Sequence, residues 1–262
     1  MSFETLNYEV ANNVATITFN RPEAANAMDP LMAKEFGAAA IDADDDPAVR
    51  AIVLTGAGKM FCAGGDLGAF AQAGEGARKL LMHMTGDLHL GLSRLARSKA
   101  PVIGAVNGTA AGAGFSLVMA CDLAIAAESA VFTMAYTRAG LSPDGSSTYH
   151  MPRKIGDRRT RELMLTNRLL SSQEALDWGI VNQVVADAEL LGQAQGLAQR
   201  LASGPTAAFA AVKTLLNGTF EQTLESQMEL EARAIAGLAA GHDGQEGINA
   251  FFEKRKPVFT GA

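Results

Sequence analysis

The stretch from residue 101 to 122 constrains the fold more than any other part of the chain. The run 102–106 is apolar and rich in β-branched residues, which predicts a buried strand. Residues 108–114 have almost no side chain, and the apolar run 115–121 predicts a short buried helix. Small residues at a helix start let a ligand oxygen approach free backbone N–H groups. The stretch therefore predicts either a backbone site for an anion or oxyanion, or a tight helix–strand contact.

A second segment, 49–66, follows the same plan. Residues 51–55 predict a strand that runs into a glycine-rich turn, and the sequence Phe-Cys-Ala-Gly-Gly-Asp over 61–66 repeats the pattern. Two such turns, each presenting one N–H group, could hold one oxygen between them. The oxygen of a thioester carbonyl that gains negative charge would fit. The second segment therefore favours the oxyanion interpretation.

Charge and composition exclude several classes of protein. The chain has 262 residues and a net charge of −6, with no basic stripe, which argues against a nucleic-acid partner. Its two cysteines are too few for a disulfide framework, so reduced thiols are expected. The first residues do not resemble a signal peptide, and no apolar run is long enough to span a membrane. We therefore expect a cytoplasmic protein without a membrane partner.

Apolar periodicity indicates strands that alternate with helices, hence a mainly parallel α/β core. The predicted strands are 6–10 and 14–19 (a hairpin), 51–55, 102–106, 122–126, 131–134 and 180–185; the predicted helices are 30–42, 77–98, 115–121, 189–203, 206–216, 220–240 and 244–254. Residues 67–75 show no strong period, which predicts a mobile loop over the site. No Gly-x-Gly-x-x-Gly segment opens a helix as in dinucleotide-binding proteins.

Short motifs then occur in a fixed order along the chain. They are Asn20-Arg21-Pro22 with Asn26-Ala27-Met28, Phe61 to Asp66, Asn107 to Asp122, Gly140 to Gly145, Pro152-Arg153, Leu170-Ser171 with Glu174-Ala175 and Trp178-Gly179, and Phe252 to Arg255. In this order the chain resembles the crotonase superfamily, which is the enoyl-CoA hydratase/isomerase family. The resemblance implies a ββα spiral core over residues 1–200. It also implies a helical C-terminal trimerisation region over 201–262.

The resemblance has further implications for ligands and partners. The substrate is an acyl-CoA, so coenzyme A arrives as part of the substrate and no cofactor is bound permanently. A homotrimer or a dimer of trimers is expected, with the C-terminal region at the subunit contacts. No metal site is expected, because no His or Cys cluster has the spacing of metal ligands.

The resemblance also assigns residues to the site. It places the two oxyanion donors at the backbone N–H groups of Gly65 and Ala113. Many family members have glycine at the second position, but a backbone donor does not depend on its own side chain. Contacts to substrate and CoA are implied for Ala24, Ala25, Ala63, Gly64, Asp66, Leu67, Gly112, Ser116, Phe251 and Lys254.

The side chains beside the oxyanion donors decide the reaction. The two glutamates of family hydratases align with Ser116 and Tyr136, neither of which is a carboxylate, and this argues against efficient water addition. Asp144 is the carboxylate that remains. Family isomerases use an aspartate in a similar Pro-Asp-Gly segment to move a proton between two carbons. The structural alternative is a turn or helix-cap aspartate.

A dehalogenase interpretation competes with the isomerase interpretation. Aroyl-CoA dehalogenases of the family place a nucleophilic aspartate where this chain has Asp144. His89 aligns with the histidine that activates their hydrolytic water, although a lone histidine on an apolar helix is usually structural. Tyr136 stands where those enzymes carry a supporting tryptophan.

We therefore predict an enoyl-CoA double-bond isomerase. Gly65 and Ala113 would stabilise the enolate oxygen, and Asp144 would be the acid/base. The alternatives are a 4-chlorobenzoyl-CoA-like dehalogenase with Asp144 as nucleophile and His89 as base, a weak hydratase, and a non-catalytic acyl-CoA-binding homologue.

Overall fold

The computed structural model describes residues 3–262 of the chain. Its strands are β1 (Leu6–Ala11), β2 (Val14–Phe19), β3 (Ala51–Gly56), β4 (Met60–Cys62), β5 (Val102–Val106), β6 (Thr109–Ala111), β7 (Leu123–Ala127), β8 (Val131–Thr133), β9 (Leu170–Ser171) and β10 (Gln183–Val185). Its α-helices are α1 (Pro30–Asp45), α2 (Leu67–Ala73), α3 (Ala77–Arg97), α4 (Ala113–Ala120), α5 (Ser147–Ile155), α6 (Asp157–Thr166), α7 (Ser172–Asp177), α8 (Leu190–Ala202), α9 (Thr206–Gly218), α10 (Leu224–Ala240) and α11 (His242–Glu253).

Consecutive strands alternate between two sheets. β3, β5 and β7 lie in a six-stranded sheet of order β1-β2-β3-β5-β7-β10, and β4, β6 and β8 lie in a four-stranded sheet of order β4-β6-β8-β9. Neighbouring strands are parallel except in the β1–β2 and β8–β9 pairs. Each strand pair is followed by one or more helices, so the chain path repeats a strand–strand–helix unit. This path confirms the predicted α/β class and the ββα spiral.

The first elements form for local reasons. Asn12 and Asn13 have positive φ angles of 52° and 63°, as a two-residue turn between twisted strands requires, and this confirms the predicted hairpin. Asp29 accepts a hydrogen bond from the backbone N–H of Met32 at 2.8 Å, which caps α1. Helix α1 begins at Pro30 as predicted and extends to Asp45.

Three expectations differ from the structure. The prediction of a mobile loop over 67–75 is wrong, because α2 and a short 3₁₀ turn occupy this segment. The side chain of Asp66 accepts the N–H groups of Gly68 and Ala69, so a local cap starts a helix that shows no apolar period. Helix α4 starts two residues earlier than predicted. The strands β4, β6 and β9 are not predicted either, since two or three residues are too short for a periodic signal, and β6 lies within the segment that was expected to be a small-residue turn.

Aromatic side chains fill the space between the helices and the sheets. The ring centroids of Phe19 and Phe61 lie 5.7 Å apart in an edge-on arrangement, and those of Phe115 and Phe132 lie 5.3 Å apart. All four side chains are fully buried. Burial of a side chain of this size contributes roughly 1.5–3 kcal/mol. These contacts fix β2, β4, α4 and β8, which carry or adjoin the two glycine-rich turns.

Lys213 anchors α9 to the core. Its side chain is only 8% exposed, and its Nζ donates to the carbonyl oxygens of Leu95 and Ala100 at 2.9 Å. The same Nζ lies 2.8 Å from Asp122 Oδ2, which also accepts the backbone N–H of Val102. The Lys213 ammonium group therefore provides a hydrogen-bond donor to a carbonyl group near the end of α3, and through Asp122 it links this helix to β5. These hydrogen bonds join residues on both sides of the predicted boundary at residue 200. The division into a core over 1–200 and a C-terminal region over 201–262 stays a prediction.

Replacing Lys213 by methionine is expected to lower the free energy of unfolding by about 2 kcal/mol, because two buried carbonyl groups and the Asp122 carboxylate, which is 31% exposed, lose their charged partner. Urea unfolding of the purified variant would measure the change. Lys79→Met, at an exposed position on α3, is the matched control and should change little. Equal unfolding midpoints for the two variants would contradict the anchoring role.

No helix within the described residues is long and apolar enough to cross a membrane.

Candidate active site

The two glycine-rich turns lie against each other. A Cβ atom added at Gly64 would stand 2.9 Å from the carbonyl oxygen of Ala111, 3.3 Å from Gly112 Cα and 3.4 Å from the backbone nitrogen of Ala113. A Cβ atom added at Gly114 would collide with the carbonyl oxygen of Cys62. Glycine is therefore required at both positions for the turns to approach this closely.

The predicted oxyanion donors are both available. Within residues 3–262, neither the N–H of Gly65 nor that of Ala113 donates a hydrogen bond. Ala113 is the first residue of α4, where an N–H group has no partner inside the helix. The neighbours of Gly65 are fixed, since the N–H of Met28 donates to Gly64 O at 2.7 Å and the N–H of Asp66 donates to Met28 O at 2.8 Å. The structure thus brings the two predicted donors to one place.

Arg21 joins the first motif of the chain to the Gly65 turn. Its guanidinium donates to the carbonyl oxygen of Ala27 at 2.5 Å, and lies 3.2 Å from Asp66 Oδ2 and 3.3 Å from Asp29 Oδ2. The two oxygens of Asp66 therefore have different partners: Oδ2 pairs with Arg21, and Oδ1 caps α2. The sequence assigned Asp66 to substrate binding. In the structure its carboxylate is engaged with Arg21 and α2, and that assignment stays a prediction.

Beside the predicted donors lies a cavity of about 300 Å³, hereafter called the acyl cavity after the group that the resemblance implies for it. Its wall is mostly apolar. The lining residues are Met28, Ala63, Gly64, Gly65, Leu67, Phe70, Leu81, Met82, Met84, Thr85, Leu88, Gly112, Ala113, Ala135, Tyr136, Ala139, Leu141, Ser142 and Asp144. An apolar wall with a few convergent polar groups is typical of small-molecule sites.

Asp144 and Tyr136 are hydrogen-bonded to each other at the cavity wall. Tyr136 OH donates to Asp144 Oδ1 at 2.6 Å, and the hydroxyl of Ser116 lies 3.0 Å from Tyr136 OH. Burial, and then the nearby Asp144 carboxylate, raise the pKa of Tyr136 far above its usual value. Tyr136 is therefore a protonated donor at neutral pH. Ser116 is fully buried behind Tyr136 and does not line the acyl cavity.

A comparison with known protein families decides the class. The family model for enoyl-CoA hydratase/isomerase matches residues 9–262 of this chain. The chain belongs to the enoyl-CoA hydratase/isomerase family. The resemblance drawn from the motifs is confirmed, and the two meeting turns and the acyl cavity belong to an acyl-CoA enzyme.

Relatives of this family member carry different reaction names. A Rhodobacter capsulatus protein named "Probable enoyl-CoA hydratase" is 41% identical over all of both chains. The 1,2-epoxyphenylacetyl-CoA isomerase of Escherichia coli is 40% identical over 96% of this chain and 97% of that protein. The crystal structure of an enoyl-CoA hydratase from Polaromonas sp. JS666 superposes with a TM-score of 0.93 and 33% identity, covering 97% of this chain and 99% of that one.

The residues predicted to contact CoA in this crotonase fall into two groups. Ala63, Gly64, Leu67 and Gly112 line the acyl cavity, and the carbonyl oxygen of Ala25 accepts the N–H of Ala63. Ala24 and Ala25 lie next to this turn, outside the cavity. Phe251 is 78% exposed and Lys254 is exposed at the end of α11, and neither lines the acyl cavity. The role of each of these residues in binding CoA stays a prediction.

His89 lies on the other side of the turn that carries Asp144. Its Nε2 accepts a hydrogen bond from the backbone N–H of Gly145 at 3.3 Å, its side chain is exposed, and it does not line the acyl cavity. His89 thus lies away from the acyl cavity wall, so its predicted role in the dehalogenase alternative, in which it would activate water, stays a prediction. A structural contact to the turn is the role that the hydrogen bond supports.

Sequence reasoning placed the pocket wall within residues 67–89 but did not identify which side chains of that segment form it. One side is built by Leu81, Met84, Thr85 and Leu88, which share one face of α3. Their spacing of three, four and seven residues is the periodic signal that predicted the helix, and it could have identified this face. The link from Arg21 to Asp66 was also missed, because 45 residues separate the two charges. Among residues 3–262, no three His, Cys, Asp or Glu side chains form a group that could hold a metal ion.

Proposed function

We propose that this enoyl-CoA hydratase/isomerase family member is an isomerase that moves the C=C bond of an enoyl-CoA thioester. One observation carries the proposal: Asp144 is the only carboxylate that lines the acyl cavity within the described residues. The two positions that align with the hydratase glutamates carry the hydroxyl groups of Ser116 and Tyr136. One carboxylate suffices to take a proton and return it, whereas water addition requires a base and an acid.

The mechanism follows from the position of the groups. The thioester oxygen would accept hydrogen bonds from the N–H groups of Gly65 and Ala113, which stabilise negative charge on that oxygen. Asp144 would remove a proton from C2 of a 3-enoyl-CoA, and the C–H electron pair would form the enolate. Protonated Asp144 would then return the proton to C4, while the electron pairs shift to give the conjugated C2=C3 bond. No oxidant, reductant or second substrate is required.

The test is an assay of the wild-type protein with a 3-enoyl-CoA in D₂O. Isomerisation predicts rising ultraviolet absorbance from the conjugated thioester, with the acyl mass unchanged apart from deuterium. Mass spectrometry would measure the deuterium content of the product. Bound CoA ester without conjugation or deuterium uptake would contradict the proposal for simple enoyl chains and would lead next to aryl-CoA substrates.

Hydration is the second candidate, because relatives of this chain are named hydratases. A single carboxylate could serve only if a second group, such as the Tyr136 hydroxyl, completed the acid–base pair. A parallel assay started from the conjugated 2-enoyl-CoA separates the two reactions. Hydration predicts falling absorbance and the gain of one water in the acyl mass, whereas isomerisation adds no water.

We also propose that the protein is a homotrimer or a dimer of trimers. Helices α9 to α11 expose apolar side chains that a single chain leaves uncovered: Val212, Leu216, Phe220, Leu224, Met228, Ile235, Ile248, Phe251 and Phe252. Exposed apolar surface of this extent is typical of a protein interface.

Light scattering after size exclusion is expected to give three or six times the chain mass of 27.4 kDa. Replacement of Ile235, which is 70% exposed on α10, by glutamate should reduce this mass. Glu231→Gln, at an exposed position on the same helix, is the control. A monomeric wild-type protein would contradict the assembly.

A further inference from the structure

Asp144 lies between two cavities. It lines the acyl cavity, and it also lines a second cavity of about 890 Å³ between α3, α5 and α9, hereafter the outer cavity. His89, Ser93 and Arg97 of the outer cavity are exposed residues, so water reaches this side. The turn 143–146 separates the two cavities. A proton held by Asp144 therefore has two possible destinations, the substrate and the solvent.

Tyr136 lies on the acyl-cavity side of the turn 143–146. It lines the acyl cavity and does not line the outer cavity. Its hydroxyl donates to Asp144 Oδ1 at 2.6 Å, and within the described residues Asp144 Oδ2 accepts no hydrogen bond. The bond therefore holds the carboxyl group towards the acyl cavity and leaves Oδ2 available for a proton.

Ser116 holds Tyr136 in turn. Its hydroxyl lies 3.0 Å from Tyr136 OH and 3.3 Å from the carbonyl oxygen of Gly112, the residue that precedes the oxyanion donor Ala113. Gly145 packs directly on Ser116, since a Cβ atom added at Gly145 would stand 2.9 Å from Ser116 Cβ. From the other side, His89 Nε2 accepts the N–H of Gly145. The turn is thus contacted by the buried Ser116 on one side and by the exposed His89 on the other.

We propose that the Ser116–Tyr136 hydroxyl pair holds the Asp144 carboxyl group on the acyl side of the turn, so that the abstracted proton returns to the substrate and is not exchanged with water in the outer cavity. The inference rests on the proposed proton transfer by Asp144. It makes Tyr136 and Ser116 positioning residues. It also explains why a tyrosine whose pKa is too high for ionisation lies in the wall of the acyl cavity.

The test is Tyr136→Phe, assayed with a 3-enoyl-CoA in D₂O. Without the hydroxyl, the carboxyl group can turn towards the outer cavity. We expect kcat to fall by about tenfold or more, KM to change by less than about twofold, and the fraction of product carrying deuterium to rise. The isotope fraction reports how often the abstracted proton escapes to water before it returns, which a change in substrate binding alone would not alter; the crystal structures described below distinguish a turned carboxyl group from a generally loosened site. Ser116→Ala should give a smaller change in the same direction.

Tyr149→Phe is the matched control, because the hydroxyl of Tyr149 bonds to the carbonyl oxygen of Asn217 and lies in the outer cavity. It should leave the isotope fraction unchanged. A folded Tyr136→Phe protein with wild-type kcat, or with lower kcat and an unchanged isotope fraction, would overturn the inference. If Tyr136→Phe does not fold, Ser116→Ala decides by the same criteria.

A failure of the proposed function would be recognised separately. It would appear as absent conjugation and absent deuterium uptake in the wild-type protein. Crystal structures of the wild-type and Tyr136→Phe proteins test the positioning role without any reaction. The carboxyl group should face the acyl cavity in the first and turn towards the outer cavity in the second, and an unmoved carboxyl group would refute the role.

Discussion

Asp144→Asn is expected to lower kcat for isomerisation by about 10²–10⁴-fold, since general acid–base catalysis by one side chain contributes this much. The amide has the shape of the carboxyl group and can still accept the hydrogen bond of Tyr136, so the wall of the acyl cavity should keep its form. An amide cannot take a proton from C2 at neutral pH. KM should therefore change little, and steady-state kinetics with a 3-enoyl-CoA would separate the two constants.

Two controls accompany this substitution. Calorimetric titration with a saturated acyl-CoA should give the wild-type affinity, which shows that the site is intact. Asp157→Asn changes an exposed carboxylate on α6 in the same chemical way and should leave kcat unchanged. If Asp144→Asn retained kcat within about tenfold of the wild type, far above the residual activity expected after loss of an acid–base group, Asp144 would not be that group.

Gly64→Ala is expected to lower kcat/KM by about 10²–10³-fold, the usual effect of losing one oxyanion donor. The added methyl group would stand 2.9 Å from the carbonyl oxygen of Ala111 and 3.4 Å from the nitrogen of Ala113. Both neighbours are backbone, so the two turns must separate. The N–H groups of Gly65 and Ala113 would then no longer converge on one oxygen. Kinetics and thermal unfolding of the same preparation would measure the change.

Gly156→Ala separates misplaced donors from simple backbone strain. Gly156 has a φ of 80°, close to the 98° of Gly64, but no described atom lies within 4 Å of an added Cβ atom. Both substitutions place a side chain on a residue with a positive φ angle, which costs roughly 1–3 kcal/mol. Only Gly64→Ala should lose activity. Similar activities for the two variants would show that the approach of the turns does not position the donors.

Much of the fold could be predicted where one segment contains all the information. The stretch 101–122 gave the strand β5 and the helix α4 because an apolar run, a small-residue turn and a second apolar run are local features. The helix α2 could not be predicted in this way. Its start depends on the cap from Asp66, and Phe70 carries the apolar contact to the rest of the molecule.

Part of the candidate site could also be predicted, because its residues lie in short motifs that carry the family resemblance. The resemblance identified Gly65, Ala113, Asp144 and Tyr136, and the structure brings all four to one cavity. The direct bond between Tyr136 and Asp144 could not be predicted, because a spacing of eight residues fixes no distance once a 3₁₀ turn and a loop intervene. The position of His89 behind the turn likewise depends on how α3 packs.

The two proposed oxyanion donors, the N–H groups of Gly65 and Ala113, belong to the main chain, so mutation affects them differently from a catalytic side chain. A point mutation alters a side chain but leaves a peptide N–H in place, unless it introduces proline or crowds the turn. Under the proposed mechanism, carbonyl activation would therefore tolerate most substitutions near the turns. The choice of reaction would instead depend on the side chains at positions 116, 136 and 144, which are hydrogen-bonded to one another and so would have to change together. A lineage with this architecture could then acquire new acyl-CoA chemistry by changing these few side chains while keeping its main-chain donors.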